Sequence, residues 1–409
     1  MKTVLVLCAA LGVWSAAGAA PATGSFATGH YPNLFRELLG KTDSEIDARI
    51  QVAWRQLFHG SDDNQRVYYP VGADAAYIAD IASHDVRTEG LSYGMMICVQ
   101  LDRRAEFDRL WTWARTRHWH AAGPLRGYFA WHADFNGRPI DPAPAPDGEE
   151  WFVTALFFAA HRWGGGGRLN YEAEAQDLLH TMLHKSEEPG HGEVGAMFDR
   201  GAAQIVFSPR AEAAHFTDPS YHLPAFYELW SRWAADPADR AFCARAAATS
   251  REFFRRAAHP VTGLMPDYAE FDGTPHVWHG HEDFRFDAWR TLANVALDHA
   301  WFGADSWAAE QSDRVLRFLA AQGPHCPNQF KLDGTPLSNE TSAGLTAMAA
   351  AAGLAAQPAL ARPFVERLWT MEIPSGPYRY YDGMLYFLAL LEVGGRYRIY
   401  GPPLPPTPG

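Results

Sequence analysis

The amino-acid sequence predicts an all-α fold of twelve helices in two concentric layers. Three observations carry this expectation. Helical periodicity recurs along nearly the whole chain, with little between the periodic stretches that reads as sheet; the helices alternate between amphipathic and almost wholly apolar; and no Pro/Gly/Ser-rich linker divides them. With 409 residues, 47% of them hydrophobic, the chain has ample material for one large core.

The helices are expected at 44–58, 91–101, 106–114, 150–163, 173–184, 220–233, 239–257, 288–301, 306–320, 343–354, 363–371 and 382–393. In the first, Ile46, Ile50, Ala53, Trp54 and Leu57 fall at helical spacing behind Ser44 as N-cap, the pattern of an outer helix. By contrast, 91–101 and 382–393 are apolar nearly all round, as expected of helices covered on both sides. Strand-like pieces at Arg66–Tyr69 and Ala76–Ile78 predict a small hairpin in a loop. The Pro-rich ends, 21–28 and 401–409, lie outside the pattern.

At the N-terminus Met1-Lys2, an apolar run from Val4 to Trp14 and small residues through Ala19 have the layout of a secretory signal peptide. The expected organisation is therefore a leader over 1–19 and a single domain over 20–409, exported to the periplasm or beyond. No later segment is long and apolar enough to span a membrane, so a membrane is not an expected partner. Cys8 falls in the leader, and Cys98, Cys243 and Cys326 are odd in number and widely spaced, which indicates neither a disulfide framework nor a metal site. A net charge of −12 offers no basic stripe for a phosphate backbone, which excludes nucleic acid.

Acidic residues at helix starts carry the functional signal. Asp147-Gly148-Glu149-Glu150 leads into an almost uncharged helix ending at Trp163, and the arrangement recurs at Glu89 and Asp287. Capping alone would account for Asp147, with Glu150 three residues on, and for Asp287 ahead of Ala288. Glu89 is less easily explained so, because it precedes a helix that reads as fully buried, with Gly90 and Gly94 allowing close approach of a backbone or ligand. Burial would raise its pKa, as suits a general acid, and the helix N-terminus would lower it. The 15 Trp, 16 Tyr and 24 Phe fill a core or stack on sugar faces. A metal reading of His276, His279, His281, Glu282 and Asp283 fails on spacing, in a stretch that Gly273, Pro275 and Gly280 mark as loop, and no Gly-x-Ser-x-Gly elbow appears.

Five ordered blocks resemble glycoside hydrolase family 8. They are Thr88-Glu89-Gly90-Leu91-Ser92-Tyr93-Gly94-Met95, Asp141 to Glu150 with Trp163 closing the helix, Asp218-Pro219-Ser220-Tyr221, Asp287-Ala288-Trp289-Arg290, and Tyr380-Tyr381-Asp382-Gly383-Met384. The resemblance covers nearly the whole mature chain. It implies an (α/α)6 barrel of six inner and six outer helices and inverting hydrolysis of β-1,4-linked polysaccharides. On the matching positions, Glu89 is the general acid, Asp287 the general base, Tyr221 a holder of the attacking water and Asp147 the acid that binds and distorts the sugar. Tyr93, Trp131, Arg290 and Tyr381 are candidate substrate contacts. No metal or organic cofactor is implied, because two carboxyls and a water suffice.

Within the family, Pro146-Asp147-Gly148-Glu149 and the run from Asp218 to Trp230 look most like the exo-oligoxylanases that release xylose from the reducing end, which makes a xylo-oligosaccharide the expected partner. One departure stands out: where those enzymes are expected to carry a histidine in the loop closing the leaving side of the cleft, this chain reads Ser338-Asn339-Glu340-Thr341-Ser342. An endo-xylanase of the same fold is the nearest alternative. From another class, a catalytically silent sugar-binding barrel has no use for two opposed carboxylates, and a barrel lyase or epimerase shares only the fold.

Overall fold

Every stretch expected to be helical contains a helix, and two short helices precede them in the computed structural model, which describes residues 24–402. In chain order they are α1 (Ser25–Thr28), α2 (Leu34–Leu39), α3 (Asp43–His59), α4 (Thr88–Gln100), α5 (Arg104–Trp113), α6 (Pro146–Trp163), α7 (Tyr171–His184), α8 (Pro224–Trp233), α9 (Pro237–Ala257), α10 (Arg290–Phe302), α11 (Trp307–Ala321), α12 (Ala343–Ala352), α13 (Pro358–Thr370) and α14 (Arg379–Val393). The leader expected over 1–19 lies outside the described residues.

Helices α4, α6, α12 and α14 are buried nearly all round, and α8 and α10 over most of their length. Each of these six packs on the next, and α14 returns to α4, which closes a ring. The amphipathic helices form the outer layer, α5 on α4, α7 on α6, α9 on α8, α11 on α10, α13 on α12 and α3 on α14. This is the (α/α)6 barrel. One apolar core running from Leu34 to Tyr397 joins the two layers. No helix among the described residues is long and apolar enough to cross a membrane, and Cys98, Cys243 and Cys326 are free thiols.

Several local expectations need correction. Helix α3 is capped by Thr42 in a reciprocal box with Glu45, not by Ser44, which lies inside the first turn. Helix α13 starts five residues before Pro363 and carries that proline within it. The stretch from 220 is broken, with a 3₁₀ turn at Pro219–Tyr221 before α8 begins at Pro224. The predicted hairpin exists as β1 (Tyr68–Val71) and β2 (Ala75–Asp80), but it belongs to a five-stranded antiparallel sheet with β3 (Asp85–Arg87), β4 (His132–Ala133) and β5 (Pro139–Asp141). These strands are too short to show alternation, and their pairing brings together residues up to about fifty apart in sequence. The sheet positions the site: the Thr88 amide opening α4 donates to the Trp131 carbonyl beside β4 at 3.0 Å.

Two glycines let the ring close tightly. A Cβ on Gly90 would stand 2.5 Å from the Tyr380 ring, and one on Gly148 would stand 2.5 Å from the Thr88 side chain. Without side chains there, the first turns of α4, α6 and α14 can meet at one end of the barrel.

Candidate active site

The side chains singled out by the acidic pattern converge on one guanidinium at the N-terminal ends of the inner helices. Arg290, buried in the first turn of α10, donates from Nη1 to Glu89 Oε2 at 3.0 Å, to Asp147 Oδ2 at 2.9 Å and to the Tyr93 hydroxyl at 2.7 Å. Its Nη2 donates to Asp287 Oδ1 at 3.0 Å. Tyr380 completes the surround of Glu89 by donating to Oε1 at 2.7 Å. Burying the Glu89 and Asp147 carboxylates costs several kcal/mol each unless they are compensated. Here the compensation is one arginine, the Tyr380 hydroxyl and the positive ends of the α4, α6 and α10 dipoles.

These contacts replace the capping explanation. Asp147 is the second residue of α6, behind Pro146 and an Ala145 N-cap without a side-chain bond; its Oδ1 accepts only the adjacent Gly148 amide, at 2.9 Å. Asp287 opens a 3₁₀ turn but does not cap it: Asp267 Oδ1 accepts the Ala288 amide at 2.9 Å and so frees Asp287. Glu149 and Glu150 are not part of the site. Glu149 accepts the Phe129 amide and Glu150 the Tyr227 hydroxyl, and burial pushes both carboxyls well above the usual range. Of the three acids at this helix start, only Asp147 faces the cleft.

The cleft encloses about 350 Å³ and is lined by Glu89, Asp147, Asp287, Arg290, Tyr221 and Trp131, with Arg87, Phe207 and Tyr268. Tyr221 lies over Arg290, ring centroid to guanidinium carbon 5.7 Å, on the turn that Asp218 caps through the Ser220 amide at 2.6 Å. Trp131 is braced by Arg87, 5.7 Å from its ring, which is itself paired with Asp85. A larger cavity of about 640 Å³ beside Tyr31 and Arg396 shares none of these residues, and its acids Asp43 and Asp47 are both paired with Arg396.

Two of the expected sugar contacts bear on the site's own residues in this structure. Tyr93 is 1% exposed, packed edge-on against Trp151, and serves to hold Arg290. Tyr381 spends its hydroxyl on the Phe286 carbonyl at 2.9 Å and steadies the segment carrying Asp287. Sequence reasoning missed Tyr380, although it stands in a quoted block, and also Asp267, Phe207 and Tyr268. Phe207 lies parallel to Tyr221 and packs on Tyr268 at 4.5 Å, with Trp278, 41% exposed, beside them. The loop histidines read as a failed metal motif have separate partners, His276 with Glu270 and His281 with Asp267.

Electrostatics distinguishes the acids. Burial pushes the Glu89 carboxyl up to about 7, with Arg290 opposing and the Asp147 and Asp287 charges reinforcing the rise. Burial raises Asp147 as well, again against Arg290. The Asp287 side chain is 31% exposed and water reaches it. Glu89 and Asp287 are tethered to opposite nitrogens of one guanidinium, so two 3.0 Å contacts plus its width set the upper limit of their separation. That limit lies below the upper end, about 9.5 Å, of the spacing of an inverting pair.

The model of glycosyl hydrolases family 8 matches residues 74–395. The chain belongs to glycoside hydrolase family 8. It is 45% identical over 383 residues to the reducing-end xylose-releasing exo-oligoxylanase Rex8A of Paenibacillus barcinonensis, covering 92% of this chain and 98% of that one. It is 43% identical over 385 residues to the reducing end xylose-releasing exo-oligoxylanase of Halalkalibacterium halodurans, covering 93% and 97%. Among solved structures, a catalytic mutant of a family 8 xylanase from Teredinibacter turnerae in complex with xylohexaose superposes with a TM-score of 0.89 at 46% identity, covering 93% of this chain and all of that one.

Proposed function

We propose that this glycoside hydrolase is an inverting, exo-acting enzyme that releases xylose from the reducing end of short β-1,4-xylo-oligosaccharides. The observation that carries the reading is the pairing of a buried, protonatable Glu89 with a water-accessible Asp287 across Arg290. Glu89 protonates the glycosidic oxygen as the bond to the anomeric carbon breaks. Asp287 takes a proton from the water that attacks that carbon from the opposite face, and the product leaves with inverted configuration. Asp147 grips the ring at the cleavage point, Tyr221 helps hold the water, and Trp131 offers an apolar face to a neighbouring sugar.

Digestion of xylohexaose labelled at its reducing end tests the reading. Labelled xylose and unlabelled xylopentaose are the expected first products, and proton NMR of the first turnovers should show the α-anomer at the newly formed end. One observation favours endo action as the second reading. The loop Ser338–Ser342 has no histidine; Ser342 is engaged with Asp382 and Ser338 with Asn328. Early accumulation of labelled xylobiose and xylotriose would establish it. The leader-like N-terminus supports export, which N-terminal sequencing of the mature protein from the periplasm or medium would test.

A further inference from the structure

Away from the cleft, the outer layer gathers a second set of donor atoms. His180 and His184 are four residues apart on one face of α7, with ring centroids 4.5 Å apart. Asp239 projects from the first turn of α9, and its Oδ1 lies 2.7 Å from His184 Nε2. One donor atom from each of the three residues falls within 4.8 Å of the others. We propose that His180, His184 and Asp239 form a zinc site that ties α7 to α9.

The geometry is near what the ion requires. Ligand atoms around a tetrahedral zinc with bonds of about 2.0–2.1 Å stand roughly 3.3 Å apart, so the His184–Asp239 contact opens slightly and His180 closes by a rotamer adjustment. Two imidazoles and a carboxylate are a donor set suited to zinc, with water as the fourth ligand. The outer support is already in place: Glu187 Oε1 lies 3.1 Å from His184 Nδ1, the carboxylate–histidine arrangement that orients a ligating ring and leaves its other nitrogen for the metal. Arg200 approaches Glu187 at 3.8 Å, and the nearby Lys185 ammonium is turned away to Glu188 and the Arg126 carbonyl. A plain His184–Asp239 ion pair would explain two of the three residues. It leaves the exposed His180, laid against the His184 ring, without a function.

None of these residues lines the cleft, so the ion would act on stability and not on turnover. The test uses the untagged full chain stripped of metal, with zinc measured by equilibrium dialysis and unfolding followed by melting. One zinc per chain is expected, with a rise of several degrees in the melting temperature that a chelator reverses. His180→Ala, at an exposed position, should fold normally and hydrolyse xylotriose at the wild-type rate while losing both the ion and the shift. Failure of the wild type to take up zinc at tens of micromolar, or equal uptake by His180→Ala, would overturn the proposal.

Discussion

Replacing Asp147 by Asn should move the alkaline limb of the pH–activity profile downward. In the native site the proton on Glu89 is kept there by burial and by the neighbouring negative charges. Asp147 and Glu89 accept from the same Arg290 nitrogen at 2.9 and 3.0 Å. Their oxygens thus lie roughly 5 Å apart, where two unit charges interact by about 3 kcal/mol at an effective dielectric near 20. That corresponds to about two pKa units, reduced by the intervening guanidinium to between about one and two. Removing the charge also leaves more of Arg290 to Glu89, which acts in the same direction.

The assay is kcat/KM for xylotriose against pH, because this ratio reports the groups of the free enzyme. The wild type should lose activity through pH about 7 as Glu89 ionises. In Asp147→Asn the limb should fall to roughly pH 5–6, on top of a lower plateau from the weakened grip on the sugar. The position of the limb is independent of the plateau height, so poor binding cannot mimic the shift. A limb that stays at 7 or moves upward would refute the electrostatic coupling of the two acids.

Asp287→Asn should lower kcat by about 10²–10⁴ while the affinity for xylotriose, measured by calorimetry, changes only a few-fold, since the amide keeps the shape but cannot take a proton; strongly weakened binding would instead make Asp287 a structural partner of Arg290. Tyr380→Phe removes a hydrogen bond to the ionised form of Glu89, worth about 1.5 kcal/mol, so its alkaline limb should rise by about one unit, opposite in sign to Asp147→Asn. Glu150→Gln should stabilise the fold at neutral pH. Burial raises the Glu150 pKa above its ordinary 4.5, so the carboxyl's contribution is full below that pH and is lost as pH rises. The variant should therefore gain up to about 1.4 kcal/mol for each pH unit above 4.5, and coincident melting curves at pH 7 would exclude a proton held in the core.

The fold was legible where periodicity was strong. Helices α4 and α14 announced themselves as inner helices because nearly every side chain is apolar, and α3 as an outer one because Ile46, Ile50 and Leu57 share a stripe. The strands were hidden, because β4 has two residues and pairs with β3 across some forty-five intervening ones. In the site, Glu89, Asp147, Asp287 and Arg290 could be named because each stands in a block beside a helix start. Their mutual contacts could not, since Arg290 reaches 143 residues to Asp147 and 201 to Glu89. Capping was misassigned for the same reason: the oxygen holding the Ala288 amide comes from Asp267, 21 residues upstream. Tyr93 matched the family blocks as well as any contact residue, and only the structure shows that it is buried and accepts a hydrogen bond from Arg290.

The proposed role of Glu89 as proton donor rests on where a proton costs least. Three carboxylates around one guanidinium would leave a net charge of −2 at the barrel end if all were ionised, and one bound proton halves it. Asp287 is open to water, which solvates its charge. Asp147 has a helix amide and Arg290 on its two oxygens and gains from the α6 dipole directly behind it. Glu89 sits equally near a helix start and shares its arginine nitrogen with Asp147 and Tyr93, but its other oxygen meets a tyrosine hydroxyl in place of a helix amide, and the charges of both aspartates press on it. Its charge is thus the most poorly compensated of the three, and the proton settles there, facing the cleft where a glycosidic oxygen would accept it. Specificity for a single proton position needs no separate catalytic device: it comes from giving three acids only one arginine.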